Sequence, residues 1–276
     1  MKPFKKVVIV GVGLIGGSLA LALKKNRLSS YIVGVGRHQD SIRTAIKNGV
    51  IDDGSLDFSI AKDADLLVFA TPVGSILNLA PRFKKIVSSD CVVIDVGSTK
   101  EKITSQLSKI FPNFIGTHPM AGSEKRGILN SQVGLFKDSL CIITPVKESN
   151  KDVLLRVSQL WKSLGVKVFY LTPAEHDRII SFVSHLPHLV AFSLINNVAV
   201  EFMKFASTSL KDGTRVAASD PQMWRDILLT NRNNILKAIR SFQQELELIR
   251  KAVADKDSTK LSKIIKKANK RRRVLG

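Results

Sequence analysis

A chain of 276 residues with 44% hydrophobic residues is long enough to build one large core or two ordinary ones. Its two cysteines, Cys91 and Cys141, each lie in an apolar run, which argues against a disulfide framework and predicts buried thiols in a cytoplasmic protein. Neither cysteine has another cysteine or a histidine at metal-ligand spacing, and we expect no zinc site.

The formal net charge of +20 indicates an anionic partner, either an acidic small molecule or nucleic acid. Lysine and arginine are concentrated in residues 251–276, which include the basic run 271–273. No aromatic residue is interleaved with this segment, so it offers no platform on which bases stack. We interpret it as a solvated helical tail and expect no nucleic-acid partner.

The apolar run at residues 7–23 is preceded by lysines, a pattern that imitates a signal peptide. The run contains glycine at positions 11, 13, 16 and 17, and glycine is a poor residue for a membrane helix. We therefore interpret it as a buried strand, a turn and a helix. No later stretch has the roughly 18 uninterrupted apolar residues that span a bilayer, and we expect no membrane partner.

Up to residue 170 the sequence alternates short apolar runs with amphipathic segments. Several runs are continuously apolar, as expected for strands whose two faces are covered by helices. The predicted strands are residues 7–10, 31–35, 66–70, 92–94, 114–116, 140–144 and 166–170. Predicted helices between them include residues 14–25, 41–47 and 151–164. This alternation predicts an α/β fold, a doubly wound Rossmann-type dinucleotide-binding domain.

The pattern changes at Pro173, beyond which we predict helices only. These helices are residues 174–184, 188–205, 221–253 and 258–270. Several carry apolar residues at three- and four-residue spacing, which is typical of helices that bury one face against a partner. We place a boundary near residue 171, between the dinucleotide-binding domain (1–171) and an all-α domain (172–276).

A glycine-rich turn at residues 11–16, GVGLIG, follows a predicted strand and opens a predicted helix. Gly11 allows the tight turn, Gly13 lets the backbone approach a pyrophosphate, and Gly16 lets the helix pack closely on the strand. The start of the helix offers N–H groups to the phosphates. In this βαβ setting the motif predicts dinucleotide binding. The predicted contacts from this turn are Gly11, Gly13, Leu14, Ile15 and Gly16.

The second predicted strand is followed by Gly36 and Arg37, where NAD-binding folds place an acid for the adenosine ribose. Gly36 leaves room for a 2′-phosphate, and the Arg37 guanidinium can pair with it. We therefore predict that NADP is favoured over NAD, although an Arg37 that only stacks on adenine would leave NAD usable. Thr71, directly after the third predicted strand, completes the predicted cofactor site.

His118 is one of five histidines and lies at the end of a predicted strand, in a glycine-containing polar segment. Catalytic groups in open α/β sheets cluster beyond the carboxyl ends of strands, and a histidine there can act as a general base near neutral pH. Ser98 follows another predicted strand. It either caps the next helix or reaches the nicotinamide edge and the base.

Two further polar segments lie in the predicted helical half. In SHLPH, residues 184–188, Pro187 starts a helix next to two imidazoles. Residues 211–215 are predicted as a short polar insert between helices, and Arg215 within it has the donor fork suited to a carboxylate. A surface ion pair is the alternative interpretation of Arg215.

Five segments together resemble the prephenate and arogenate dehydrogenase family. They are GVGLIGGS at 11–18, DVGSTK at 95–100, THPMAGSEKRG at 117–127, SHLPH at 184–188, and KDGTR with SDPQMWRD within 211–226. They occur in order and at plausible spacing, and THPMAGSE together with SHLPH is highly specific.

The resemblance implies oxidative decarboxylation of prephenate or arogenate with hydride transfer to NAD(P), in tyrosine biosynthesis. His118 would accept the proton of the substrate's ring hydroxyl, and Ser98 would hydrogen-bond that hydroxyl and His118. Arg215 would bind a carboxylate of this small anionic substrate. The other implied substrate contacts are His188, Lys211, Ser123 and, at the mouth of the site, Glu124. The resemblance also implies a homodimer formed through the helical domain.

Two other functions are compatible with part of the sequence. A β-hydroxyacid dehydrogenase has a similar layout, and Asn196 and Asn197 faintly resemble its pattern, but Ser193 stands where that family has a helical lysine. A non-catalytic Rossmann module that binds nucleic acid through the basic tail leaves His118 and Arg215 unexplained. The choice between prephenate and arogenate stays open, because the two differ only by a keto or amino group on the side chain.

Overall fold

The computed structural model describes residues 1–122 and 127–275 of the chain. Eight strands of the described residues form one sheet. They are β1 (Phe4–Val10), β2 (Ser29–Val35), β3 (Asp53–Ser55), β4 (Leu66–Phe69), β5 (Val92–Asp95), β6 (Phe114–Pro119), β7 (Leu140–Thr144) and β8 (Lys167–Tyr170). The helices are α1 (Leu14–Lys25), α2 (Gln39–Lys47), α3 (Val73–Phe83), α4 (Glu101–Ile110), α5 (Lys151–Ser163), α6 (Pro173–Ile180), α7 (Leu186–Asn196), α8 (Thr208–Thr214), α9 (Pro221–Thr230), α10 (Arg232–Ala254) and α11 (Ser258–Arg272).

The strand order is β3-β2-β1-β4-β5-β6-β7-β8. Neighbouring strands run parallel except β6 and β7, which are antiparallel. The order reverses between β1 and β4, and open α/β sheets bind ligands beyond the carboxyl ends of strands at such a point. The sheet and the helices that follow it confirm the predicted doubly wound α/β fold with a helical C-terminal region.

Strands β4 and β5 are buried along their whole length, and β1 is buried from Val7 to Val10, which explains their apolar runs. Successive side chains of a strand point to opposite faces. Val7 and Ile9 of β1 therefore belong to the same buried cluster as Leu19 of α1, whereas Val8 belongs to a second cluster with Ile76 of α3. Both cysteines are buried and free, as the apolar runs around them predicted.

Two features of the sheet were not predicted. The three-residue strand β3 has the sequence Asp-Gly-Ser, so no apolar run marks it, and its pairing with β2 holds it in the sheet. Strand β6 continues to Pro119 because it pairs with β7, and His118 faces Ile142 there. His118 is therefore held by a strand rather than by the loop that follows.

The helical half is more interrupted than the sequence pattern predicted. The predicted helix 221–253 is two helices separated at Asn231, whose buried side-chain amide donates a hydrogen bond to the backbone carbonyl of Asp177 at 2.7 Å. The predicted helix 188–205 ends at Asn196, and a 3-10 segment, Val200–Phe205, follows. The predicted insert 211–215 is wrong as a loop, because its first four residues end α8.

The helices α6 and α7 are joined by a π-helical turn, Ser181–His185. Pro187 has no N–H and cannot donate to the carbonyl one turn earlier, so the regular α-helical pattern is interrupted before it. The combined run Pro173–Asn196 is long and apolar enough to cross a membrane by length and composition alone, and core helices of soluble proteins meet the same two criteria.

By its internal contacts the chain divides into two compact units, Met1–Asn231 and Arg232–Gly276. The first contains the whole sheet and helices α1 to α9. The second contains α10 and α11, and α11 carries exposed lysine and arginine side chains along its length.

Candidate active site

A two-part cleft lies in the first unit, beyond the carboxyl ends of the central strands. One part has a volume of about 410 Å³ and the other about 560 Å³. His118 and Ser98 line both parts. The first part also takes in the glycine-rich turn, and the second takes in residues of α7 and α9.

The glycine-rich turn has three different environments at its three motif glycines. Gly11 has φ +100, and a Cβ there would lie 2.6 Å from Cγ2 of Thr71. A Cβ on Gly16 would lie 2.2 Å from the carbonyl oxygen of Gly11, so α1 can pack this closely on β1 only without a side chain. A Cβ on Gly13 would meet no atom within 4 Å. Gly11 and Gly16 are therefore required by the tight turn and the close packing, whereas Gly13 faces open space at the start of α1.

The open space at Gly13 suits a dinucleotide phosphate. Leu14 and Ile15, the first residues of α1, line the cleft beside it. A helix N-terminus stabilises an anion through its free N–H groups and its dipole. The hydroxyl oxygen of Thr71, which lies beside Gly11, is buried and has no hydrogen-bond partner among the described residues. A bound polar group would give that hydroxyl a partner, so this part of the cleft fits a dinucleotide.

Arg37 lines the same part of the cleft and follows β2 and Gly36 in the chain. Its side chain is exposed. A Cβ on Gly36 would lie 3.0 Å from Cδ1 of Ile42, so the position is tight even for a small side chain. A glycine and a cation stand where NAD-binding folds place an acid.

His118 is buried on β6 and bonds to a second histidine. Its Nδ1 lies 2.8 Å from Nε2 of His176, on α6. Nδ1 of His176 lies 2.8 Å from Oδ1 of Asp177. His176 and Asp177 are at most 1% exposed, so these two residues behind His118 are shielded from solvent. Neither residue was predicted as part of the site; the only signal in the sequence is an adjacent histidine and aspartate on an otherwise ordinary amphipathic helix.

A second buried pair lies beneath His118. The ammonium of Lys100 forms an ion pair with Asp95 at the end of β5, and it also donates to the carbonyl of Thr117 at 2.7 Å. The backbone N–H of Lys100 donates to Asp177 at 2.7 Å. This network fixes the end of β5, the start of α4 and the middle of α6 against β6.

Burial lowers the pKa of His118 well below its usual value, and the neighbouring His176, Lys100 and His185 lower that pKa further. Burial also lowers the pKa of His176, although its bond to Asp177 opposes that effect. Both imidazoles are therefore neutral at neutral pH. A neutral imidazole that lines a cleft can accept a proton from a ligand.

The second part of the cleft is lined by a guanidinium and by aromatic side chains from the helical residues. His188 on α7 stacks on Trp224 of α9 with ring centroids 3.9 Å apart, and its Nδ1 donates to the carbonyl of Ser184 at 2.9 Å. Arg215, which begins the 3-10 segment Arg215–Ala218, lines the same space. His185 is buried there, and burial lowers its pKa to about 4. This part of the cleft suits an anionic ligand with a flat ring.

The cleft brings together most of the residues singled out from the sequence. Among the described residues, its lining includes Gly13, Leu14, Ile15, Arg37, Thr71, Ser98, His118, His188 and Arg215. Gly11 and Gly16 shape the turn behind it. Lys211 is exposed on α8 and does not line either part. Ser123 and Glu124 lie outside the described residues.

Comparison with known proteins gives two family matches in sequence order. Residues 19–170 match the family described as prephenate dehydrogenase, nucleotide-binding domain. Residues 172–267 match the family described as prephenate dehydrogenase, dimerization domain. Among curated proteins, the prephenate dehydrogenase of Bacillus subtilis (strain 168) is 36% identical over 273 residues, which are 95% of this chain and 74% of that protein.

Two solved structures cover nearly the whole chain. Prephenate dehydrogenase from Aquifex aeolicus, in complex with hydroxyphenyl propionate and NAD⁺, has 35% identity and a TM-score of 0.94, and the match covers 99% of this chain and 98% of that one. Arogenate dehydrogenase from Synechocystis has 28% identity and a TM-score of 0.84, and the match covers 98% of this chain and 100% of that one.

Proposed function

The chain belongs to the prephenate dehydrogenase family, and we propose that it oxidatively decarboxylates prephenate, or the related arogenate, with hydride transfer to a nicotinamide cofactor in tyrosine biosynthesis. The observation that carries the proposal is the position of His118. This neutral, buried imidazole lines both the part of the cleft that fits a dinucleotide and the part that suits an anionic ring.

The reaction couples three events on the substrate ring. The hydrogen on C4 leaves as a hydride, the hydroxyl on the same carbon loses its proton, and the carboxylate on C1 leaves as CO₂. The electron pair of the broken C1–carboxylate bond enters the ring, which becomes aromatic with a phenolate oxygen on C4. The phenolate then regains a proton, which gives the phenol product. When bound, the nicotinamide supplies the hydride acceptor. The protein has to orient the ring and remove one proton, and a positioned base contributes a factor of about 10² to 10⁴.

Three described residues have direct roles in this proposal. His118 accepts the hydroxyl proton, and Ser98, which lines both parts of the cleft with it, hydrogen-bonds the hydroxyl. Arg215 binds a carboxylate of the substrate, because its planar guanidinium offers two parallel donors to a carboxylate. His188 lines the same part of the cleft as Arg215. Lys211, Ser123 and Glu124 are included as substrate contacts on the family resemblance alone.

NADP is the favoured cofactor in this proposal. Gly36 replaces the acid that would repel a 2′-phosphate, and the exposed guanidinium of Arg37 lines the cofactor part of the cleft. The Aquifex aeolicus relative was solved with NAD⁺. The ratio of kcat/KM for the two cofactors, measured at saturating substrate, decides between them.

The proposal includes a cytoplasmic homodimer formed through a helical domain at residues 172–276, with the dinucleotide-binding domain at 1–171. The match to the family dimerization domain supports it. Exposed apolar side chains on the π-turn, on α7 and after it provide a surface for a second copy. They are Phe182, Val183, Leu194, Val200, Phe202 and Phe205. Sedimentation of the purified protein tests the dimer.

The deciding experiment is turnover by the purified protein, followed by the absorbance of the reduced cofactor. Prephenate, arogenate and a β-hydroxyacid are each offered with NADP and with NAD. Reduction of cofactor with prephenate or arogenate, together with release of CO₂, is the expected result. Reduction only with the β-hydroxyacid would favour the rival enzyme, and no reduction with any of them would contradict the proposal.

A further inference from the structure

We propose that His176 and Asp177 act as a positioning pair, which holds His118 in the one neutral tautomer that can accept the substrate's proton. This rests on the proposed role of His118 as the base. The pair lies behind His118, on α6, and contributes no atom to the lining of either part of the cleft.

The direction of the hydrogen bonds starts from Asp177. Its Oδ1 accepts the backbone N–H of Lys100 at 2.7 Å, and its Oδ2 accepts the backbone N–H of Glu101 at 3.0 Å. A carboxylate only accepts hydrogen bonds. Nδ1 of His176, 2.8 Å from Oδ1, must therefore carry the hydrogen in that bond.

The tautomer of His118 follows from that of His176. A neutral imidazole carries one N–H, so Nε2 of His176 is bare and accepts. The partner 2.8 Å away, Nδ1 of His118, must then be the donor. A neutral His118 with its hydrogen on Nδ1 has a bare Nε2, and that nitrogen is the one available to a substrate hydroxyl.

The opposite tautomer is disfavoured in this setting. If Nδ1 of His118 were bare, Nε2 of His176 would have to donate, and its Nδ1 would face the carboxylate with a lone pair. Protonating both nitrogens of His176 would avoid that repulsion, but burial disfavours a second charge in the same place. A neutral histidine in water can carry its hydrogen on either nitrogen. Without the pair, the fraction of His118 with a bare Nε2 would therefore fall.

The pair also stabilises His118 after proton transfer. His118 then becomes an imidazolium, whose Nδ1–H still points to the bare nitrogen of His176. A charge-assisted bond of this kind is stronger than a neutral one. Losing it should lower kcat by about 10- to 100-fold.

A matched pair of variants tests the proposal. His176→Gln places an amide oxygen near the position of Nε2 and keeps an acceptor for His118. His176→Leu keeps the bulk and removes the acceptor. We expect His176→Leu to lower kcat by about 10- to 100-fold while the dissociation constant of NADP stays unchanged. We expect His176→Gln to keep most of the wild-type kcat.

The tautomer itself is measurable by ¹⁵N NMR of the histidine rings. The chain has only five histidines, and His118→Asn identifies the signals of that ring. We expect the Nδ1–H tautomer of His118 in the wild-type protein and in His176→Gln, and a mixed or Nε2–H form in His176→Leu. A wild-type His118 protonated on Nε2 would overturn the proposal, whether or not the leucine variant folds.

The double variant His118→Asn/His176→Leu separates positioning from a general structural effect. If His176 acts through His118, the leucine substitution lowers kcat no further once His118 is asparagine. An additional full loss would overturn the proposal. A wrong base assignment would give a different result from a wrong positioning pair. The His118→Asn variant would then keep its turnover, although His118 of the wild-type protein would still carry its hydrogen on Nδ1.

Discussion

The carboxylate of Asp226, on α9, accepts a hydrogen bond at 3.1 Å from the backbone N–H of Gly74, in the first turn of α3. The N-cap residue of α3 is Pro72, whose side chain cannot accept such a bond. Asp226 therefore caps a helix of the sheet region from a helix 152 residues away in sequence. A Cβ on Gly74 would lie 2.7 Å from Oδ2 of Asp226, so the glycine is needed for this approach.

Removing this contact should lower the stability of the protein without changing the chemistry at His118. Asp226→Ala leaves an N–H of the first turn without its acceptor and should lower the free energy of unfolding by about 0.5–2 kcal/mol, the usual range for a lost cap. Asp226→Asn keeps an acceptor and serves as the control. Urea unfolding of the three proteins measures the difference, and equal stability of all three would show that the cap contributes nothing.

The fold was predictable because its signals are local. Every strand of the sheet except β3 contains an apolar run, and the glycine motif marks the turn between β1 and α1. Strand β3 has no such signal, because its three polar residues are placed by pairing with β2. The break at Asn231 was missed for the same reason, since the amide's partners, Asp177 and His185, are distant in sequence.

The active site was predictable only where residue type and local motif coincide. His118 and Arg215 lie in recognisable segments, whereas His176 lies in an ordinary helix 58 residues from its partner. Periodicity indicates which face of α6 is buried, but not which strand residue that face meets. Contacts of this kind need the tertiary structure.

Acid should destabilise the protein through its buried histidines. Burial lowers the pKa of His185 to about 4, against 6.5 for an exposed histidine. Between these values the unfolded chain binds a proton that the folded chain does not, so stability falls as the pH falls below about 6.5. For this one residue the loss from pH 7 to pH 5 is about 2 kcal/mol.

Urea unfolding of the wild type and His185→Gln at pH 7 and pH 5 measures this contribution. The variant cannot bind the proton, so its stability should fall by about 2 kcal/mol less over the same interval. An identical pH dependence in both proteins would mean that His185 is protonated as easily in the folded chain as in the unfolded one.

The base assignment predicts that His118→Asn removes most turnover and leaves cofactor affinity nearly intact. The substitution deletes the proton acceptor and touches no phosphate contact. General-base catalysis contributes at least about 10², so kcat should fall by that factor or more. Single-turnover rates and cofactor titration by fluorescence give the two quantities. If kcat stays above roughly a tenth of the wild-type value, another group is the base.

Arg37→Asp should shift the cofactor preference from NADP towards NAD. The new carboxylate would repel a 2′-phosphate and accept a hydrogen bond from a ribose hydroxyl. Arg37→Ala is the matched control, because it removes the cation without adding an acceptor and should weaken NADP without improving NAD. The test is the ratio of kcat/KM for the two cofactors, and an unchanged ratio in the aspartate variant would exclude Arg37 as the discriminator.

Arg215 lines the substrate part of the cleft together with His185 and His188. Prephenate carries two carboxylates, and a guanidinium can hold one of them through two parallel hydrogen bonds. A charged hydrogen bond of this kind is worth about 1.5–3 kcal/mol, so Arg215→Ala should raise the KM for the substrate by about 10- to 150-fold.

The KM for the cofactor should hardly change in this variant, because Arg215 lines the substrate part of the cleft and not the part that contains Gly13 and Arg37. Arg215→Lys should recover only part of the loss, since an ammonium keeps the charge but not the paired donors. Steady-state kinetics with each ligand varied in turn distinguish these effects. An equal weakening of substrate and cofactor would identify Arg215 as a structural residue, and an unchanged substrate KM would place the carboxylate elsewhere in the cleft.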